Sequence, residues 1–248
     1  MKCAGIDIGS RTIELIILEN GQIQEKRQTD TGYDPMKEAR NILQGVSYDR
    51  IVATGYGRGI FEISFDQVQT VTEIKAYARG VKELFPEALT ILDIGGQDSK
   101  AISLLENGKI KKFEMNDRCA AGTGKFLEVM AKALGFDIDQ FGEEALKASN
   151  DLKINSMCTV FAESEVTSLI ARGKNRLEIA RGLHASVARR AVSMLKRISI
   201  NKTIVFAGGV ARNICMRHML EELLESEIKI PNDPQIVGAL GAALLAGE

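Results

Sequence analysis

At 248 residues, with 45% hydrophobic and 26% charged residues, the chain has room for one large domain or two small ones sharing a cleft, and its composition is that of an ordinary globular enzyme. A formal net charge of −1 gives no electrostatic reason to expect nucleic acid or an acidic membrane as partner. No apolar run reaches the roughly 18 residues that span a bilayer, and the N-terminus leads straight into an apolar segment without a signal-like stretch, so a cytoplasmic address without membrane contact is expected.

Taken in chain order, residues 4–29 read as a strand, a turn, a second strand and a third. Helical spacing follows at 35–43, then a buried strand at Arg50-Ile51-Val52-Ala53-Thr54 that runs into the glycine-rich Gly55-Tyr56-Gly57. A helix over 72–85 stops at Pro86. From 89 to 115 the strand-turn-strand pattern recurs, and helices are expected at 124–134, 161–171 and 177–197. A short β-branched strand at 203–206 breaks into Ala207-Gly208-Gly209-Val210, ahead of a helix at 213–224 and a strand near 227–230. The small residues of 238–245 form a last helix able to approach its neighbours closely. Mixed α/β with two similar halves, 1–88 and 89–248, is the predicted organisation, the second half carrying the longer helical insertion.

The recurrence is specific. Asp7-Ile8-Gly9 opens a segment that closes on Leu18-Glu19-Asn20-Gly21 and Ile23, and Asp93-Ile94-Gly95 opens one that closes on Leu105-Glu106-Asn107-Gly108 and Ile110. Asn-Gly between apolar runs is a strong hairpin signal because both residues tolerate positive φ. Each Asp-Ile-Gly bend exposes backbone N–H groups and a hydroxyl, an arrangement that binds anions. Asp7 would repel a phosphate directly, but suits Mg²⁺ lying between, since that ion favours one or two carboxylates with waters and phosphate oxygens. The second bend adds Gln97, an amide that both donates and accepts and can orient an attacking water. A single such bend is also ordinary turn chemistry. Two bends, followed by Gly208-Gly209 after a buried strand where a flat ring could meet bare backbone, point to a nucleotide held from two sides.

Three glycine-bearing loops in this order resemble the nucleotide-binding fold shared by actin, acetate and sugar kinases and heat-shock chaperones, with ATP in a cleft between two halves. Thr123-Gly124 and the segment 238–243 fit its connecting helices, and no GxxxxGK[ST] phosphate loop is present.

Four cysteines are present, Cys3, Cys119, Cys158 and Cys215, with no CxxC pair. Cys119, in Asn116-Asp117-Arg118-Cys119-Ala120-Ala121-Gly122-Thr123-Gly124, and Cys158, in Cys158-Thr159-Val160-Phe161-Ala162-Glu163, are each expected just before a helix, whose positive end favours bound thiolate. Two cysteines cannot complete a four-thiolate iron–sulfur site, whereas two copies of the chain about a twofold axis can. Taken alone, the residues leave buried or incidental thiols as the commoner reading. Cys3 and Cys215 read as buried structural thiols, His184 and His218 as surface or packing residues, and Arg189-Arg190 with Lys196-Arg197 as a solvated helix face, with docking of an acidic partner as the alternative.

The motifs NDxCAAGTGxF, CTVFAESEV, ATGYGR, DIGGQD, GGVAxN and PQxxGALGAAL occur in order, and together they resemble the activator ATPases of 2-hydroxyacyl-CoA dehydratases and the related BadF/BadG/BcrA/BcrD ATPases of benzoyl-CoA reductase systems. The resemblance implies a homodimer holding one 4Fe–4S cluster on Cys119 and Cys158 of each chain. It also implies ATP hydrolysis with Mg²⁺, reduction by a ferredoxin or flavodoxin, and delivery of one low-potential electron to an iron–sulfur acceptor such as a dehydratase or reductase component. By the same resemblance, Asp7 and Gln97 serve catalysis. Ser10, Arg11, Thr12, Gly95, Gly96 and Gln97 serve the phosphates, and Gly208, Gly209, Arg212, Asn213 and Gln235 the adenosine end. Arg11 and Glu14 depart from the family, which commonly has Thr and Lys there; a carboxylate in place of a phosphate-side lysine weakens anion binding unless Arg11 substitutes. A small-molecule kinase of the same fold, a non-catalytic nucleotide sensor and a reductase of an uncharacterised iron–sulfur protein are the competing readings.

Overall fold

Two five-stranded mixed sheets, built on one plan, frame the molecule. The first runs β3-β2-β1-β4-β5, from β1 (Lys2–Ile8), β2 (Thr12–Glu19), β3 (Gln22–Asp30), β4 (Arg50–Thr54) and β5 (Val68–Thr70). The second runs β8-β7-β6-β9-β10, from β6 (Thr90–Ile94), β7 (Ser99–Leu104), β8 (Ile110–Asn116), β9 (Ile204–Ala207) and β10 (Ile228–Lys229). In each, the leading strand pairs antiparallel with the next and parallel with a strand that arrives later, β4 or β9. This is a computed structural model, and it describes residues 1–150, 152–154 and 158–248.

Burial explains the strand chemistry. Strands covered on both faces read as continuous apolar runs, and β2 buries every residue from Ile13 to Leu18. The edge strands β3 and β8 are rich in Lys and Glu and mostly exposed, which discourages pairing with other chains. The hairpin turns differ between the copies. Asn20 and Gly21 are both left-handed, at φ 52° and 80°, whereas in the second copy Gly108 alone is, at 79°. The one inserted residue changes a two-residue turn into the turn closed by Gly108 N–H on Leu105 O, while both hairpins keep a register shift at the equivalent place, after Ile17 and after Ser103.

Nine helices are seen among the described residues. α1 (Pro35–Ile42) and α2 (Arg58–Ser64) cover the outer face of the first sheet, with Phe61 and Ile42 on Ile6, Ile13 and Leu15. α4 (Gly124–Ala133), α5 (Ile138–Leu146), α6 (Thr159–Ala171), α7 (Arg176–Leu195) and α8 (Ile214–Leu224) build the core on the outer face of the second. Between the sheets lie α3 (Glu73–Leu84) and α9 (Val237–Ala246). α3 packs on the second sheet and α9 on the first. Side-chain caps start most of them: Thr72 accepts from Lys75 N–H, Asn175 from Leu177 N–H and Asn213 from Met216 N–H. The α3–α9 crossing depends on small residues, since a Cβ on Gly241 would run into the Ala76 carbonyl and one on Gly80 into that of Val237. α2, α5 and β5 are additions to the elements legible in the sequence. Among the described residues no helix is long and apolar enough to cross a membrane.

Candidate functional site

Between the two sheets opens a cleft of about 1090 Å³, and every nucleotide-site residue named from the sequence lines it. The floor is duplicated. Gly9 N–H donates to Thr12 O at 3.0 Å, and Gly95 N–H donates to Asp98 O at 3.0 Å, so the two Asp-Ile-Gly bends share one turn. The bends touch: a Cβ on Gly96 would stand 3.1 Å from both Ser10 Oγ and the Arg11 Cβ. Each leading Asp lies against a left-handed glycine that ends the later parallel strand. A Cβ on Gly55 (φ 88°) would strike the Asp7 carboxylate and Ile8 backbone, and one on Gly208 (φ 83°) the Asp93 carboxylate and Ile94 backbone. Gly124 N–H and Lys125 N–H then donate to Gly95 O and Gly96 O at 2.9 and 2.7 Å, tying α4 to the second bend.

The upper end is held by polar links between the halves. Gln235 Nε2 donates to Thr12 Oγ1 at 3.4 Å, and Asp233 accepts from Arg212 at 3.1 Å and from Lys26 of β3 at 2.7 Å. Asn213 is oriented from beneath by His184. His184 Nδ1 must donate to Ala180 O at 2.8 Å, leaving Nε2 to accept from Asn213 Nδ2 at 2.9 Å, while Asn213 Oδ1 caps α8. His184 is fully buried against Phe141, and burial pushes its pKa down to about 4. The unfolded chain therefore takes up a proton between pH ~6.5 and ~4 that the folded one refuses, so this residue contributes a loss of stability as pH falls through that window. The buried carboxylates of the cleft respond to acid in the opposite sense, so the His184 share is read as a difference: between pH 7 and pH 4.5 wild type is expected to lose about 2 kcal/mol relative to His184→Gln in urea unfolding. A pH dependence unchanged in the variant refutes the assignment.

Charge on the floor is unequal. Lys100, on β7, contacts Asp93 at 2.9 Å, Asp98 at 2.7 Å and Glu73 at 2.7 Å. Burial alone would depress its pKa, but the three carboxylates outweigh that and hold it well above the usual value. Asp93 is pushed up to about 6, burial exceeding the pull of Lys100. Asp7 is raised by burial and then by Glu14 and Glu73. Glu14 is pushed up to about 7 by burial, against hydrogen bonds from Thr12 and Gln28. Lys100, Glu73 and His184 are functional-looking residues to which sequence motifs do not point.

Neither cysteine of interest lines the cleft. Cys119 is half-buried in a turn where Asn116 Nδ2 donates to Cys119 O at 2.9 Å and to Ala121 O at 3.1 Å. α4 begins only at Gly124, so Cys119 stands further from its helix than the spacing implies; the turn from Ala120 to Thr123 intervenes. Cys158 is exposed and is itself the N-cap of α6, with no side chain capping that end. Cys3 and Cys215 are buried, and burial pushes the Cys215 thiol up to about 12.

Comparison with known proteins places this geometry. The activator of lactoyl-CoA dehydratase from Anaerotignum propionicum is 42% identical over 100% of this chain and 98% of its own length. The (R)-2-hydroxyglutaryl-CoA dehydratase activating ATPase from Acidaminococcus fermentans is 41% identical over 98% of this chain and 95% of its own. The solved activator of the 2-hydroxyisocaproyl-CoA dehydratase from Clostridium difficile, with bound ADPNP, superposes with a TM-score of 0.91 at 40% identity, over 99% of this chain and 94% of that one. The duplicated sheets are thus those of the actin-like ATPase fold. With residues 4–246 matched, the chain belongs to the BadF/BadG/BcrA/BcrD ATPase family.

Proposed function

We propose that this ATPase is an ATP-driven one-electron donor that works as a homodimer with a shared 4Fe–4S cluster, activating an iron–sulfur partner enzyme of the 2-hydroxyacyl-CoA dehydratase type. The observation that carries the reading is α6. Cys158 leads it, Val160 and Phe161 beside that thiol are 68% and 67% exposed, and only Ala162 and Val166 are buried by the chain itself. An apolar helix end left open next to an exposed thiol fits a surface completed by a second copy. The donor set fits as well. Among the described residues no three His, Cys, Asp or Glu side chains gather as a metal site within one chain, so Cys119 and Cys158 would need the thiolates of a partner. When bound, such a cluster supplies a one-electron store whose potential follows its hydrogen bonds and exposure.

The chain's own residues would do the rest. Asp7 faces the cation side of the phosphates, Gln97 is exposed into the cleft to orient water, and Gly95 and Gly96 offer N–H groups to phosphate oxygens. α4 is tied to the second phosphate bend through Gly95 O and Gly96 O, so a change at the bend moves the helix that follows Cys119. For this to do work, ATP must favour one arrangement of the halves, since equal affinity for both shifts nothing.

Anaerobic reconstitution tests the reading. Four iron atoms per dimer are expected, with a spectrum that changes when ADP is replaced by ATP, and with ATP-dependent reduction of an iron–sulfur acceptor. A colourless monomer after reconstitution would refute it and leave a small-molecule kinase on the same fold as the alternative.

A further inference from the structure

The two halves of the cleft differ at one paired position. Across β6 and β7 the register sets Asp93 opposite Lys100, and across β1 and β2 it sets Asp7 opposite Glu14. In the second half the ammonium neutralises its opposite carboxylate directly, at 2.9 Å. In the first half both members are acids, both buried and both lining the cleft. Glu14 accepts from Gln28 Nε2 at 3.0 Å, a neutral donor. Asp7 is only 6% exposed, and among the described residues no group donates to its carboxylate and neither acid has a cation within ion-pair distance; Lys100, engaged by its own three carboxylates, pulls on Asp7 only from further off. Beside Asp7 in the register of β4 stands Thr54, whose hydroxyl is buried without a hydrogen-bond partner. Arg11 lines the cleft but makes no ion pair with either acid.

Buried carboxylates without a compensating positive charge are costly, and like charges directly opposite in an antiparallel pair destabilise it. Directly opposed side chains have Cβ atoms ~4.5–5.5 Å apart, close enough for one hard divalent ion to meet an oxygen of each at ~2.0–2.6 Å. The oxygen-only donor set, with an orphan hydroxyl at its side and open cleft in front for water, suits Mg²⁺ or Mn²⁺ over softer metals.

We infer that Asp7 and Glu14 form a divalent-cation seat that fills before nucleotide enters, so that a bound ion stands in the first half where Lys100 stands in the second. The inference rests on the cleft being the nucleotide site. Its consequence is an order of binding: cation first, nucleotide second, with the ion supplying the positive charge that the first half lacks.

The test uses the full chain free of nucleotide. Titration with Mn²⁺, followed by the electron paramagnetic resonance of free ion, is expected to show one ion bound per chain, and Mg²⁺ alone is expected to raise the melting temperature. Glu14→Gln, which keeps the shape and the Gln28 contact, is expected to weaken that binding by at least ~10-fold. Glu14→Lys is expected to abolish it and to let ADP bind in the presence of chelator, where wild type is expected to bind none. Absence of Mn²⁺ binding without nucleotide, or unchanged binding in Glu14→Gln, overturns the inference, and Glu14→Gln still decides should the lysine variant fail to fold. Calorimetry with ADP in excess Mg²⁺ separates the two levels: failure of ADP to bind under any condition refutes the nucleotide site itself, whereas normal ADP binding without a nucleotide-free ion seat refutes the seat alone.

Discussion

Cys119→Ala is expected to leave a protein that binds no iron after anaerobic reconstitution yet still hydrolyses ATP, because the thiol does not line the cleft, with a rate altered only through the tie between α4 and the second bend. Removing one thiolate per chain removes half the ligands of a cluster shared by two chains, and the remaining pair cannot hold four iron atoms. No other cysteine can take over. Cys3 is buried in the first sheet under α9, and Cys215 is buried with its thiol pushed up to about 12, so it supplies no thiolate near neutral pH. Cys215→Ala is therefore the matched control and should retain iron. The ATPase cleft is spared because neither Cys119 nor Cys158 lines it. Cys158→Ala should lose iron in the same way, and with it whatever part of the dimer the cluster holds together. Iron retained in Cys119→Ala would end the assignment, as would four iron atoms per chain rather than per pair of chains.

Much of this architecture is legible in the chain because burial on both sheet faces forces long apolar runs, and because a duplicated motif repeats its turn chemistry. The bends at Asp7 and Asp93, the breaks after β4 and β9, and the small-residue helix α9 all carry local signals. The elements that escape have none. α2 buries only Phe61, so no periodic face marks it, β5 is three residues long, and α5 is interrupted by Gly142. Lys100 escapes for another reason. Nothing adjacent to it predicts burial, since its three carboxylate partners come from α3, β6 and the second bend, which only the fold assembles. A usable signal does exist: once the two copies are aligned on their Asp-Ile-Gly bends, Glu14 and Lys100 occupy one position, and a charge reversal between copies at a cleft-facing site is visible without coordinates. His184 and Asn213 lie far apart in sequence, and their contact follows from the packing of α7 beneath the start of α8.

Lys100→Met is expected to cost roughly 3–5 kcal/mol of folding stability at neutral pH, the usual penalty for breaking a buried ion pair from one side, and to bring ATP hydrolysis close to background. The methylenes of lysine are replaced almost atom for atom, so the packing of the stem survives while the ammonium is lost, and with it the cation–π contact to Tyr77 at 5.6 Å. What remains is Asp93 and Asp98 without a cation, and Glu73 with Arg58 alone, at 4.0 Å. Asp93 is already pushed up to about 6 with Lys100 in place, and without the ammonium it is driven higher. The deficit should therefore shrink as pH is lowered and these carboxylates take up protons, which is the opposite of the acid response expected from His184. Lys100→Met with Asp93→Asn should recover part of the loss, because one of the stranded charges is removed. Activity should not recover with it. Lys100 also pins Asp98, whose carbonyl closes the second phosphate bend on Gly95 N–H, and joins that bend to the first turn of α3 through Glu73. Recovery of stability without recovery of hydrolysis would separate the two duties of this lysine. Wild-type stability in the single variant would show that the three carboxylates are neutralised by something other than Lys100, and would remove the contrast between the halves on which the cation seat at Asp7 and Glu14 was argued.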